Sequence, residues 1–357
     1  MAKAKLSIGL DIGSSSVKLV HLLEVKRGFV LDAFGVAPLP PEAIVDGALM
    51  NSTAIVEAIR ELAAQHKLKS KEVAIGVSGH SVIIKKISLP RMSQEELDEN
   101  IQWEAEQYIP FDVKDVNIDV QILDAGADAN GQMSVLLVAA KKDMINDYTA
   151  VVNEAGLIPV IVDVDAFAVQ NAFEANYEPS KSETIVLVNA GASVVNINIL
   201  SRGLTTFTRD ISMGGNQFTE EIQKQLNVSY DEAEKLKVGG DASKDVDGVV
   251  PQEVDRVIQG VADQLAGEIQ RSLDFYAASA ADAQISRVYM SGGTVKIPAL
   301  FRAIEGRVGV PVELLDPFKR VEIDKRKFDP KLMSDLAPSI AVAMGLGLRR
   351  PFDRSDD

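Results

Sequence analysis

What most limits the fold of this chain is a matched pair of strand–turn–strand stretches, one in each half. Residues 9–20 read "GLDIGSSSVKLV" and residues 187–200 read "LVNAGASVVNINIL". Laid together, Asp11 falls on Asn189, Gly13 on Gly191, Ser15 on Ser193 and Lys18 on Asn196. Each is an apolar strand that ends in a small-residue turn and starts a second strand. One such hairpin per half implies a duplicated α/β architecture of two lobes.

The rest of the pattern fills in that frame. Strand signals fall at 5–12, 17–23, 28–37 and 73–77, with Leu6, Ile8, Leu10 and Ile12 on one face of the first. Residues 51–67 carry apolar positions at 55, 56, 59, 62 and 63, a helix packed on that sheet. After "ISLPRMS", Ser93 and Glu96 form a capping box, and Leu97, Ile101, Ala105 and Tyr108 make one stripe of a helix that Pro110 is expected to end. Two strands, "VNIDVQIL" and "MSVLLVAAK", and a helix at 142–155 follow. This helix–strand–strand–helix block, 89–156, reads as a unit inserted between two parts of the first lobe, 1–88 and 157–181.

The second lobe then spans 182–211 and 286–350, interrupted by a mostly helical unit at 212–285. That unit holds a loop, "VGGDASKDVDG", and a long helix with apolar positions 254, 257, 258, 261, 265, 269 and 276. "ISRVYMSGGTVKIPAL" (285–300) reads as strand, turn and helix. "LAPSIAVAMGLGLR" (336–349) reads as a small-residue helix with Pro338 near its start, before a polar tail at 351–357.

Composition removes several functions. With 52 acidic against 37 basic residues the net charge is −15, which disfavours nucleic acid or an anionic membrane as a partner. There is no cysteine for disulfides or thiolate metal sites, and His21, His66 and His80 lack ligand spacing. The basic run at 316–327 is short and mixed with acids, as in a solvated loop. No apolar run reaches the length of a membrane span, and neither a signal sequence nor an amphipathic anchor is visible. The expectation is a soluble cytoplasmic protein.

The hairpin tips are where chemistry is expected. Gly13, Ser14, Ser15 and Ser16, and likewise Gly191, Ala192 and Ser193, can aim backbone N–H groups and hydroxyls at a phosphate. Lys18 can add a point charge, and Asp11 can hold a magnesium ion through water. An ordinary tight hairpin with a solubilising Asp and Lys reads equally well from these residues alone.

Five segments in order nevertheless resemble the actin-like ATPase superfamily, over roughly residues 5–350. "LDIGSSSVK" and "VNAGAS" resemble its two phosphate loops, and "MSGGT" with Pro298 its adenosine motif. "VDVDAFAVQNA" and "APSIAVAMGLGL" resemble its two connecting helices. The resemblance implies an actin-like (ribonuclease H-like) duplicated two-lobed α/β fold that binds ATP and Mg²⁺. It places Asp165 where attacking water is oriented, and Gly292, Gly293 and Thr294 beside the base. Within the superfamily, "LPRMSQEELDENIQWEAEQYIPFDVKDVNIDVQIL" (89–123) resembles the inserted subdomain of the PilM family, with the insertion placed as in FtsA. "TRDISMGGNQFTEEIQKQL" and "DEAEKLK" resemble that family's second lobe, with 212–285 as a nucleotide-capping unit.

That resemblance implies a type IV pilus assembly role serving twitching motility. The N-terminal cytoplasmic tail of PilN would sit in a groove beside the inserted subdomain, with pilus motor ATPases as further candidate partners. The chain would lie at the inner face of the inner membrane through those partners. Glu234 and Lys237 match positions that touch ribose and base, or are a solvent-facing i,i+3 ion pair. Gly214 and Gly215 allow close approach to the nucleotide, or form a helix-entry turn. Trp103 is either packed under a neighbouring element or part of a partner surface.

The family's pattern has an acid where this chain has Asn189, which implies nucleotide binding without fast hydrolysis. Two other readings of the same fold remain. A small-molecule kinase would use Asp165 as base but leaves "WEAEQYIPF" without a role. An FtsA- or MreB-like membrane filament fits poorly with the polar "LRRPFDRSDD" end.

Overall fold

Residues 8–12 are apolar apart from Gly9 and Asp11, and they form β1 (Ile8–Ile12), a strand with every residue buried. Such a strand must be covered on both faces. It pairs antiparallel with β2 (Ser16–Val25), which pairs antiparallel with β3 (Gly28–Pro38). Two short strands, β4 (Ile44–Val45) and β5 (Ala48–Leu49), lead to α1 (Ser52–Gln65), capped by the Asn51 side chain. β6 (Glu72–Val77) adds to β1 in parallel. The computed structural model describes residues 5–124, 131–180, 182–238, 249–279 and 284–351. The expected loop "VGGDASKDVDG" from residue 239 on, and the tail from 352, lie outside them.

The inserted unit differs from its expected bounds at both ends. Its sheet starts with β7 (Val82–Pro90), not at residue 89. α2 (Gln94–Ala105) follows with the Ser93–Glu96 capping box in place. β8 (Val116–Asp124) and β9 (Gln132–Lys141) complete a three-stranded sheet in the order β7-β9-β8. β7 belongs here because it pairs with β9 along its whole length. Ile87 and Leu89 join Leu97, Ile101, Val135 and Leu137 in a separate core. α3 (Lys142–Glu154) does not belong: its Met144, Tyr148, Val151 and Val152 are buried with Ile55, Ile59 and Val73 of the first lobe. α2 also stops at Ala105 rather than at Pro110, because the chain tightens into a turn in which both Tyr108 and Ile109 N–H groups bond Ala105.

β10 (Ile158–Val164) closes the first sheet, in the order β10-β6-β1-β2-β3-β16, and leads into α4 (Asp165–Asn176). The second lobe repeats the plan. β11 (Thr184–Ala190), β12 (Val195–Ser201) and β13 (Leu204–Ile211) form an antiparallel meander. Three helices follow: α5 (Gly215–Leu226), α6 (Tyr230–Lys237) and α7 (Val249–Ser279). α7 buries Val254, Val261, Leu265, Ile269 and Tyr276 along the expected stripe. β14 (Ile285–Ser291), α8 (Pro298–Val308) and β15 (Val312–Leu314) complete a sheet in the order β13-β12-β11-β14-β15.

The chain then returns to the first lobe. β16 (Val321–Glu322) pairs with β3, and α9 (Pro330–Leu336) precedes a 3₁₀ turn over Ala337–Ile340. The expected small-residue helix is thus split: only α10 (Ala341–Leu346) is α-helical, and Pro338 sits in the 3₁₀ turn. Its small residues have a packing reason. A Cβ on Gly345 would lie 1.6 Å from the Ala168 carbonyl oxygen, and one on Gly9 would lie 2.0 Å from that of Ala343. Only glycine lets α10 press this closely on α4 and on β1, between the two sheets.

Candidate functional site

The two hairpins meet across a cleft of about 890 Å³ between the lobes. In the β1–β2 hairpin, Asp11 and Lys18 are cross-strand partners, and Lys18 Nζ donates to Asp11 Oδ2 at 2.9 Å. The turn over Ser14 and Ser15 is closed by Gly13 N–H on the Ser16 carbonyl, 3.2 Å. In the β11–β12 hairpin, Asn189 and Asn196 are the equivalent partners. The turn over Ala192 and Ser193 is closed by Gly191 N–H on the Val194 carbonyl, 2.9 Å. The duplicated sequence has produced a duplicated backbone device.

Around it the second lobe supplies close-packed glycines. Gly292 has φ 95°, and a Cβ there would lie 2.2 Å from the Ala190 carbonyl oxygen. Its N–H donates to the Pro338 carbonyl at 2.6 Å, which ties the turn to the second connecting segment. Thr294 Oγ1 donates to the Gly191 carbonyl at 2.8 Å. Gly215 lines the cleft, where a Cβ would lie 2.7 Å from Thr294 Oγ1; Gly214 lies behind the hairpin, where a Cβ would meet the Gly191 and Ala192 carbonyls. Gly214 is also the N-cap of α5, which is the helix-entry reading.

Glu234 and Lys237 are not a solvent-facing pair. They turn into the cleft wall, where Lys237 Nζ donates to Glu234, to Thr219 Oγ1 at 2.9 Å and to the Gly215 carbonyl at 3.3 Å. Thr219 also donates to Glu234. Asp165, at the start of α4, occupies the floor beside Asp11; a Cβ on Gly76 would lie 2.2 Å from its Oδ1. Burial pushes the Asp165 pKa well up, nearby Asp11 and Asp210 push it further, and Ser78 and Lys18 oppose them. Every expected site residue except Gly214 thus lines this one cleft.

Several lining residues were missed. Ser78, Gly79 and His80 follow β6 in the same strand-then-small-residue pattern as the hairpins, so that signal was readable. Tyr148 on α3 reaches the cleft only because α3 joins the first lobe. Asp210, on β13, was also missed; it does not line the cleft but is bonded to the second hairpin. Asn196 Nδ2 donates to its Oδ1 at 2.8 Å, and Gly79 N–H of the first lobe donates to its Oδ2 at 2.6 Å. The residue keeps open surface, yet its carboxylate is held between the lobes, and that desolvation raises its pKa against the pull of both hydrogen bonds.

The donor chemistry fits a nucleotide with a hydrated magnesium ion. The lining offers hard oxygens from Asp11, Ser14, Ser15, Ser16 and Asn189. Among the described residues no group of three or more His, Cys, Asp or Glu could hold a metal alone.

A second feature lies on the rim. β10 is an edge strand whose outward Ile158, Val160 and Val162 are 50, 36 and 37% exposed. β8 is the edge of the inserted sheet, and its Asp119 is near enough to Asp163 of β10 to act on it electrostatically. Asp163 is raised by burial and held against that by an ion pair to Arg349, 2.8 Å. Trp103 on α2 is 75% exposed, which excludes the packed reading. Among the described residues no helix is long and apolar enough to cross a membrane.

A duplicated fold with one hairpin from each lobe at the base of a shared cleft is that of an actin-like protein. Within that class the chain belongs to the family described as type IV pilus assembly protein PilM, which matches residues 9–351. It is similar to a solved PilM–PilN type IV pilus biogenesis complex, with 27% identity and a TM-score of 0.86 over 97% of this chain and 99% of that one. It is 23% identical over 260 residues to the cell division protein FtsA of Bacillus subtilis, covering 66% of this chain and 58% of that protein's length. MreB5 of Spiroplasma citri bound to ADP shares the fold, with a TM-score of 0.50 at 13% identity over 96% of this chain and 94% of that one.

Proposed function

We propose that this pilus assembly protein binds Mg-ATP in the interlobe cleft as a conformational ligand and holds an extended PilN-type tail on its first lobe. The observation that carries the nucleotide reading is the convergence of both hairpins, the Gly292 turn and the Glu234–Lys237 pair on one cleft. Bound magnesium supplies charge neutralisation at the phosphates. Asp11 and the Ser14–Ser16 hydroxyls are the groups that would hold its waters, and Lys18 is placed to meet the phosphates. Glu234 and Lys237 suit the ribose and base, and the Gly292 turn lets a base lie flat on backbone.

A ligand that touches both hairpins favours the closed arrangement of lobes linked by α4 and α10. Asp165 is the candidate water-orienting group, but Asn189 brings no charge opposite Asp11, so turnover is slow or absent. For the partner, the β10 edge carries three exposed β-branched residues, and Asp163 on the same strand is near enough to Asp119 of the inserted sheet to feel its charge, so this edge is a surface suited to strand addition by an extended peptide. The partner's membrane attachment would place the protein at the inner membrane.

The test uses a labelled peptide of the partner's N-terminal cytoplasmic tail. Val160→Glu should abolish its binding while leaving Mg-ATP affinity intact. Unchanged peptide binding would move the partner to another surface.

A further inference from the structure

Asn189, Asn196 and Asp210 stand side by side on β11, β12 and β13: Asn189 pairs in register with Asn196, and Asn196 with Asp210. Their side chains form a directional ladder. Asn196 Nδ2 donates to Asp210 Oδ1 at 2.8 Å, and Asn189 Nδ2 donates to Asn196 Oδ1 at 3.1 Å. An ionised carboxylate can only accept, so Asp210 dictates which end of Asn196 faces it. Asn196 then offers only its oxygen to Asn189, which must answer with its NH₂ end. Asn196 is 4% exposed, so water cannot readily replace either partner. The carbonyl oxygen of Asn189 is therefore the end turned away from Asn196, 3.3 Å from the buried Ser291 Oγ, and Asn189 itself lines the cleft.

We propose that Asp210 is a positioning residue for the nucleotide's metal: it orients the Asn196–Asn189 ladder so that residue 189 presents an oxygen, not an N–H, toward the magnesium water shell. The inference rests on the nucleotide reading of the cleft. A hydrated cation needs acceptors around its waters, and an amide turned the other way would aim a donor at them. The negative charge absent from position 189 stands two strands away in Asp210. What it sends to the cleft is orientation rather than charge.

The experiment is calorimetric titration of ATP into the full chain with Mg²⁺ and with EDTA, reading the ratio of the two affinities. Nucleotide-free thermal melts establish that each variant is folded. Asp210→Ala should reduce the magnesium gain by about tenfold, the worth of roughly one hydrogen bond. Asn196→Ala should do the same, although it leaves the Asp210–Gly79 contact in place. Adding Asn189→Asp to Asp210→Ala should restore the gain, because a carboxylate accepts at both oxygens whichever way it turns. A gain kept by Asn196→Ala, or not restored by Asn189→Asp, would overturn the ladder and leave Asp210 as a tie between lobes. No ATP binding by the unaltered chain in either buffer would overturn the nucleotide reading, and the ladder with it.

Discussion

The β1–β2 and β11–β12 hairpins have one backbone and two electrostatic characters. Both place a cross-strand pair just before a small-residue turn closed by a glycine N–H. In the first, the pair is Asp11 and Lys18, 11 and 13% exposed, a nearly buried ion pair. In the second it is Asn189 and Asn196, an amide pair backed by Asp210. Duplication therefore conserves the cradle while letting side chains specialise. On the proposed nucleotide reading, charge for a metal and its phosphates would come from the first lobe, and the second would contribute backbone, dipoles and glycine clearance. Such a cleft would grip a nucleotide and close on it without assembling the paired acids that speed hydrolysis.

The comparison breaks most visibly at its charged end. Asp11→Ala strands Lys18 without its partner, and the expected cost is about 3 kcal/mol of folding stability in a denaturant titration. The variant lacking both Asp11 and Lys18 should lose less, since no buried charge is left alone. Equal losses would mean the pair is solvated rather than buried. Next in size, Asn189→Asp makes the second hairpin resemble the first. Phosphate release should rise about tenfold, equivalent to about 1.4 kcal/mol of transition-state stabilisation. Fast release by the unaltered protein would show that the amide does not disable turnover.

The smallest effect concerns Asp165. Its pKa is raised in the folded chain, so its ionisation favours unfolding. Stability is full below the ordinary Asp range, falls as pH climbs through the raised value, and stays lowered above it. Asp165→Asn should stabilise by about 1 kcal/mol at mildly alkaline pH and by nothing at acidic pH. Melting curves with no pH-dependent difference would place Asp165 in a more polar setting.

Much of this was legible in the sequence, and the gaps have physical reasons. The period-two runs, the Ser93–Glu96 box and the long stripe of α7 are local signals, and the structure keeps them. The hairpin repeat located the cleft because each copy carries its own turn. Allegiance was harder to read. The α3 stripe of Met144, Tyr148 and Val151 announces a buried face but not which core buries it. β7 was missed because Lys85 and Lys86 interrupt its apolar run; Lys86 is exposed, and Lys85 donates to the Tyr108 carbonyl at 2.7 Å. Asp210 was invisible for a stronger reason: its link to Asn189 exists only once three strands are in register.

The central claim is that charge for the nucleotide comes from one hairpin while its twin contributes geometry. Mg-ATP affinity of Asp11→Ala set against that of Asn189→Ala, measured by calorimetry in the same buffer, tests it most directly. The account predicts a loss at least tenfold larger for Asp11→Ala, the difference between a charged ligand of the metal's water shell and a dipolar one, about 1.4 kcal/mol. Equal losses would contradict it, and would mean that the two hairpins share the metal as electrostatic equals.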